Sequence, residues 1–272
     1  MTWYPVVEVE RDGETLAVHR GPGSGPALVL VHGLEDSWHT WQPFVDALRG
    51  DIPFTPYALC LPWRAGAAYG WVHHTGPADL LRHALALLPE PPALLVGHSF
   101  GANALLELLA QADRPTPAAV VLLAPYFRPP DDPIDWRLFD RELARFRAVI
   151  GEGIRLKLGE RRRPLDPELV DTMVAKALDR VGPLGFVALL HQFITTTDLA
   201  LDTVTVPTLV VSGATDAALA GARTDAFRRA MPVATVHTRP DGGHFCHLEQ
   251  AAAVTAEIRR FLAVSVPTVA CT

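Results

Sequence analysis

The chain has 272 residues, 49% of them apolar and 20% charged, with a formal net charge of −6. That length suits one large α/β domain or two small ones and can bury a sizeable core. The acidic balance and the lack of a long basic stretch argue against a nucleic-acid partner.

The densest basic run, Arg161-Arg162-Arg163, is flanked by Glu160 and Asp166 and reads as a solvated face. Cys60, Cys246 and Cys271 show neither paired nor metal-ligand spacing. A reducing, cytoplasmic setting is therefore expected, with no disulfide framework and no metal site. The opening MTWYPVVEVERDG lacks a basic region followed by an apolar core, so no signal peptide is expected. No apolar run approaches the roughly 20 residues that span a bilayer, so no membrane partner is expected either.

In chain order, residues 4–19 alternate and turn at Asp12-Gly13, which predicts an edge hairpin. Ala27 to Val31 is wholly apolar and stops at His32-Gly33, the pattern of a strand covered on both faces. Residues 37–49 read as helix, with Trp38, Trp41, Phe44, Val45 and Leu48 near one face. Residues 54–59 read as strand. The segment 60–74 is aromatic, Gly-rich and aperiodic. A Leu-rich helix over 78–88 ends at Pro89.

Next comes ALLVGHSFGANALLELLAQ, residues 93–111. An apolar run meets Gly97-His98-Ser99-Phe100-Gly101, and helical periodicity follows. This is G-x-S-x-G in the strand–turn–helix frame that a nucleophile elbow requires. Glycines flank Ser99 because a Cβ at either place is expected to collide with the neighbouring strand or helix. The helix behind the serine points free N–H groups and a positive dipole end at developing negative charge.

Residues 118–124 are another buried strand. From about 126 to 203 the texture changes to helical stretches at roughly 134–158, 167–180 and 183–197, with no strand between them. This reads as a helical insertion in a core domain made of 1–125 and 204–272. The sheet resumes at 208–212, then a helix at 221–230, a strand at 234–238 and a helix at 249–263. Strands alternating with helices predict a mostly parallel, doubly wound sheet.

A serine nucleophile needs a base within reach, and the base needs an orienting acid. Asp216 follows the strand 208–212, and His244 lies in Asp241-Gly242-Gly243-His244 after the last strand. Parallel strands bring their C-terminal ends to one edge, so Ser99, Asp216 and His244 are expected to meet there. His247 opens a helix and is the weaker base. Asp241 is too near His244 in sequence, while Asp202 precedes a strand and Asp225 sits on a helix face. His98 and Cys246 read as packed residues. The oxyanion donors are expected to be the backbone N–H groups of Phe100 and Leu34.

These motifs, with Val206-Pro207 leading to Gly213 and Asp216, resemble the α/β-hydrolase superfamily over nearly the whole chain. The likeness is greatest to its capped esterase, lactonase and C–C hydrolase branch. It implies eight strands with a helical cap after the sixth. Where many relatives carry an Asp and a Pro-Gly-His-Gly-like turn after strand 54–59, this chain has Cys60-Leu61-Pro62-Trp63-Arg64-Ala65-Gly66.

The expected activity is hydrolysis of an ester, lactone or thioester without cofactor. A biosynthetic acyltransferase or macrocyclase-type thioesterase, and a ligand receptor with little turnover, remain as alternatives. Serine at 99 disfavours dehalogenation, for which an Asp is needed there. The segment 60–74 and Phe139, Phe146, Phe186 and Phe193 point to an apolar or aromatic acyl substrate, or else simply to core. A homodimer stays open.

Overall fold

The computed structural model describes residues 2–48, 53–159 and 165–266. The basic run 161–163 and Cys271 lie outside them. Eight strands form one sheet in the order β1-β2-β4-β3-β5-β6-β7-β8. They are β1 (Tyr4–Arg11), β2 (Glu14–Arg20), β3 (Ala27–Val31), β4 (Thr55–Cys60), β5 (Pro92–His98), β6 (Ala119–Leu123), β7 (Thr208–Gly213) and β8 (Ala234–Arg239). The hairpin β1–β2 is antiparallel and joins β4 antiparallel. From β4 through β8 every pairing is parallel.

Helices α1 (Gln42–Leu48), α2 (Pro77–Leu85), α3 (Phe100–Leu109), α6 (Ala222–Ala230), α7 (Cys246–Glu249) and α8 (Ala251–Ser265) accompany the sheet. The central strands are apolar throughout because both of their faces are covered. Val29, Val31, Leu95, Val120 and Val210 enter one apolar cluster with α2 and α3. Their neighbours Leu28, Leu30, Leu94, Val96, Val121 and Val211 enter the other with α1 and α8. This is the alternation of side chains along a strand, and each fully buried residue contributes about 1.5–3 kcal/mol.

Between β6 and β7 lie α4 (Trp136–Leu158) and α5 (Pro167–Thr195). Asp135 caps α4 by accepting from the Arg137 and Leu138 N–H groups, and Asp166 caps α5 from Glu168. The sequence predicts two helices in 167–197. The structure joins them into one element broken at Gly182 (φ 61°, ψ −169°), directly before Pro183. Proline cannot continue the hydrogen-bond ladder, and glycine tolerates the positive φ. Residues 37–48 likewise divide into a 3-10 turn at Trp38–Trp41 and α1. Among the described residues no helix is long and apolar enough to cross a membrane.

Candidate active site

Ser99 sits between β5 and α3 with φ 51° and ψ −119°. This is strained for a residue with a Cβ. Its backbone is fixed on both sides: its N–H donates to the Leu123 carbonyl (2.9 Å) and its carbonyl accepts from the Asn103 N–H (3.0 Å). The flanking glycines are required sterically. A Cβ on Gly97 would come within 2.8 Å of Ala102 Cα in α3. One on Gly101 would come within 2.4 Å of the His32 carbonyl oxygen at the end of β3.

The three residues predicted to meet do so. His244 Nδ1 lies 2.9 Å from Asp216 Oδ2, and His244 Nε2 lies 2.9 Å from Ser99 Oγ. A carboxylate only accepts, so Nδ1 carries the proton and Nε2 accepts from the serine hydroxyl. Asp216 Oδ1 accepts the Ala218 N–H at 3.0 Å, which fixes the carboxylate. All three residues are buried. Burial disfavours the imidazolium, yet the charge and hydrogen bond of Asp216, with Glu152 adding, raise the His244 pKa above its ordinary value. Burial likewise opposes the Asp216 charge, but His244 outweighs it and holds the carboxyl below the usual range.

The competitors lie elsewhere. His98 Nε2 donates to the His244 carbonyl oxygen (3.0 Å). His247 is fully buried, with its ring against His98 and Trp41. Burial pushes the Cys246 thiol up to about 12. Asp202 lies in a 3-10 turn and Asp225 on α6.

Leu34 lines the same cavity as Ser99. A Cβ on Gly33 would sit 3.4 Å from the Ser99 Cβ, which sets this loop against the serine. Phe100 is the first residue of α3, so its N–H has no acceptor one turn back. The aperiodic segment after β4 braces the Leu34 loop. Leu61 N–H donates to His32 Nε2 (3.1 Å), and the Trp63 indole donates to the His32 carbonyl (2.9 Å). Glu35 N–H donates to the Trp63 carbonyl (3.0 Å), and Ala65 N–H to that of Asp36 (2.8 Å). Tyr69 Oη donates to Glu35 Oε1 at 2.9 Å.

A cavity of about 350 Å³ opens above Ser99, walled in part by α4 and α5. Of the aromatics singled out from sequence, Phe146 and Phe193 line it. Phe139 and Phe186 instead pack on each other at 5.3 Å. From segment 60–74 only Ala65 reaches the cavity. Trp63 and Trp71 are core and pack on Phe100.

Sequence reasoning missed the charged part of the wall. Arg180 Nη2 reaches Glu35 Oε2 at 2.7 Å, and Lys157 Nζ reaches Asp36 Oδ1 at 3.0 Å. Glu142 Oε1 accepts from Arg141 (3.2 Å), Arg145 (2.8 Å) and Arg223 (2.6 Å). Burial works against that Glu142 charge, but the arginines prevail and hold its carboxyl below the usual range. The adjacent Glu35-Asp36, directly after the Leu34 position, was the available signal, since paired charges beside a buried strand end need partners.

A doubly wound sheet that presents a strained serine at a strand–helix turn, facing an acid and a histidine from the ends of the last two strands, defines the nucleophile-elbow class of α/β folds. Residues 28–258 match the model of the alpha/beta hydrolase family. The chain belongs to that family. It is 36% identical over 118 residues to a pimeloyl-[acyl-carrier protein] methyl ester esterase of Vibrio atlanticus (strain LGP32). That match covers 42% of this chain and 43% of the relative, so it spans less than half of either protein. Among solved structures, a membrane phospholipase A described as a bacterial virulence factor aligns with a TM-score of 0.72 at 20% identity. The alignment covers 99% of this chain and 87% of that one. The epoxide hydrolase VrEH1 of Vigna radiata aligns with a TM-score of 0.67 at 23% identity, covering 96% and 97%. Such distant likenesses establish the fold; the chemistry has to be read from the site.

Proposed function

We propose that this protein is a serine hydrolase that cleaves a carboxylic ester, lactone or thioester of an acyl substrate. The observation that carries the reading is the continuous line from Asp216 through His244 to a strained Ser99, with both hydrogen bonds at 2.9 Å, beneath a cavity. Ser99 Oγ attacks the carbonyl carbon while its proton passes to His244 Nε2. The negative charge that develops on the carbonyl oxygen falls to the Leu34 and Phe100 N–H groups. His244 then protonates the leaving alcohol or thiol. A water, deprotonated by His244, attacks the acyl-enzyme, releases the acid and restores Ser99. Asp216 holds the imidazole tautomer and stabilises the cation throughout.

An ester is the favoured substrate class, because the named curated relative is an esterase. Phe146, Ile150, Leu189 and Phe193 supply an apolar wall for an acyl chain. The helices α4 and α5 act as a cap that selects the acyl group and excludes water, which strengthens electrostatic interactions in the site.

The test is a fluorophosphonate probe together with turnover of p-nitrophenyl esters. Wild type is expected to be labelled and to turn over, whereas Ser99→Ala is expected to do neither while keeping its circular dichroism spectrum. Equal labelling of both proteins would refute the role of Ser99. Labelling without ester turnover would favour a receptor.

A further inference from the structure

Next to Ser99, three buried groups converge. Asp36, His98 and His247 each present one donor atom, and these three atoms lie within 4.8 Å of one another. All are essentially inaccessible, at 3%, 2% and 0% exposure. Such a cluster would ordinarily be knitted by hydrogen bonds. Among the described residues it is not: His98 Nδ1 and both ring nitrogens of His247 have no hydrogen-bond partner. A buried polar atom left without a partner costs about 1–3 kcal/mol, so an unpaired ring nitrogen on each of two adjacent histidines calls for an occupant.

We propose that Asp36, His98 and His247 form a buried site for one divalent transition-metal ion of the zinc class. The donor set of two imidazoles and one carboxylate is the kind that zinc takes up, with a fourth position left for water or another oxygen. The tautomer of His98 is already the one a metal needs. Its Nε2 donates to the His244 carbonyl at 3.0 Å, so Nδ1 keeps the lone pair. A ligating histidine whose other N–H is held by a backbone carbonyl is the usual outer-sphere arrangement. That free nitrogen faces the loop that bears Asp36, since a Cβ on Gly33 would meet His98 Nδ1 at 3.1 Å.

Tetrahedral zinc with bonds of about 2.0–2.1 Å places its donor atoms about 3.3–3.4 Å apart, so the cluster must tighten by at most about 1.5 Å. The competing cation is Lys157, whose Nζ lies 3.0 Å from Asp36 Oδ1 and donates to the Glu35 carbonyl at 2.9 Å; 37% exposed, it must swing into water to make room for the ion. The Ser37 N–H also binds Asp36 Oδ1 (2.8 Å) and holds the carboxylate in place. The three donors come from three segments: the loop after β3, the elbow, and α7. Each lies within three residues of Leu34, Ser99 or His244 respectively. A bound ion would therefore pin together the segments that carry the proposed oxyanion donor, nucleophile and base. The inference itself does not depend on their catalytic roles.

The experiment uses the full chain stripped with a chelator and titrated with zinc by calorimetry, and with cobalt by visible absorbance. The expected result is one ion per chain with a Kd of about 1 µM or tighter, visible cobalt d–d bands, and a raised thermal midpoint. Asp36→Asn keeps the side-chain size and His247→Asn keeps a polar side chain in place of the ring; each is expected to weaken binding roughly tenfold or more. A His73→Ala/His74→Ala control removes two exposed histidines and should bind as wild type does. No stoichiometric binding by wild type, full binding by either folded Asn variant, or loss of binding in the control would overturn the proposal. Should both Asn variants fail to fold, the wild-type cobalt spectrum decides: absence of d–d bands refutes the site. Binding is read without turnover, so failure here is distinct from failure of the hydrolase reading.

Discussion

Asp216→Asn isolates what the acid does for the base. The carboxylate lies 2.9 Å from His244 Nδ1, with the side chains 3% and 5% exposed. Water therefore screens the pair weakly. At an effective dielectric of about 20 and a charge separation of about 4 Å, the carboxylate stabilises an imidazolium by about 4 kcal/mol, or nearly three decades in rate. An Asn also offers an N–H to Nδ1, which forces the proton onto Nε2 and stops it accepting from Ser99. Together these give an expected fall in kcat of about 10³–10⁴-fold. KM should change little, since the imidazolium forms only on the way to the transition state.

The pH profile supplies an independent check. The base works only when neutral, so activity is lost as pH falls through the His244 pKa. Asp216 raises that pKa, so removing its charge should move the acid limb of kcat/KM to lower pH. The assay is steady-state turnover of a p-nitrophenyl ester across the acid range, on protein with an unchanged melting transition. A loss below tenfold, or an acid limb that stays put or moves up, would refute the role of Asp216.

The remaining expectations concern neighbours of that relay. His244→Ala should cost about 10³-fold or more in kcat, while His247→Ala, which contacts His98 and Trp41 rather than Ser99, should chiefly lower thermal stability. A larger kcat loss from His247→Ala would assign the base wrongly. Phe146→Ala and Phe193→Ala open the cavity wall and should shift preference along an acyl-chain series. Phe193 also carries the Arg223 guanidinium 4.6 Å from its ring centroid, and its loss should cost about 3–5 kcal/mol in chemical denaturation. Phe186→Ala should destabilise without shifting the preference, and the reverse pattern would mean the cap is misread. Gly101→Ala puts a Cβ against backbone oxygens of Val31 and His32. It should therefore lower the melting temperature and phosphonate labelling together, and a variant as stable and reactive as wild type would show that the close packing is not needed.

The strand and helix order of the hydrolase core was legible in the sequence because its signals are local. A wholly apolar run such as 27–31, too short for a helix and stopped at His32-Gly33, reads as a strand covered on both faces. Gly97, Ser99 and Gly101 mark a turn whose sterics act within a few residues. Even the convergence of Ser99, Asp216 and His244 followed from topology, since parallel strands must end on one edge. What only the tertiary structure decided are contacts between segments far apart in sequence. The aromatics of 60–74 and 134–197 have the same composition whether they face a substrate or the core. Packing alone sorted Phe146 and Phe193 into the cavity wall and Trp63, Trp71 and Phe186 into the interior. The partners of Glu35 and Asp36 on α4 and α5, more than 100 residues away, carry no sequence period at all. The same is true of the meeting of Asp36, His98 and His247, because an ionic or ligand contact needs only proximity, and proximity across the fold is set by the packing of whole elements rather than by any local pattern.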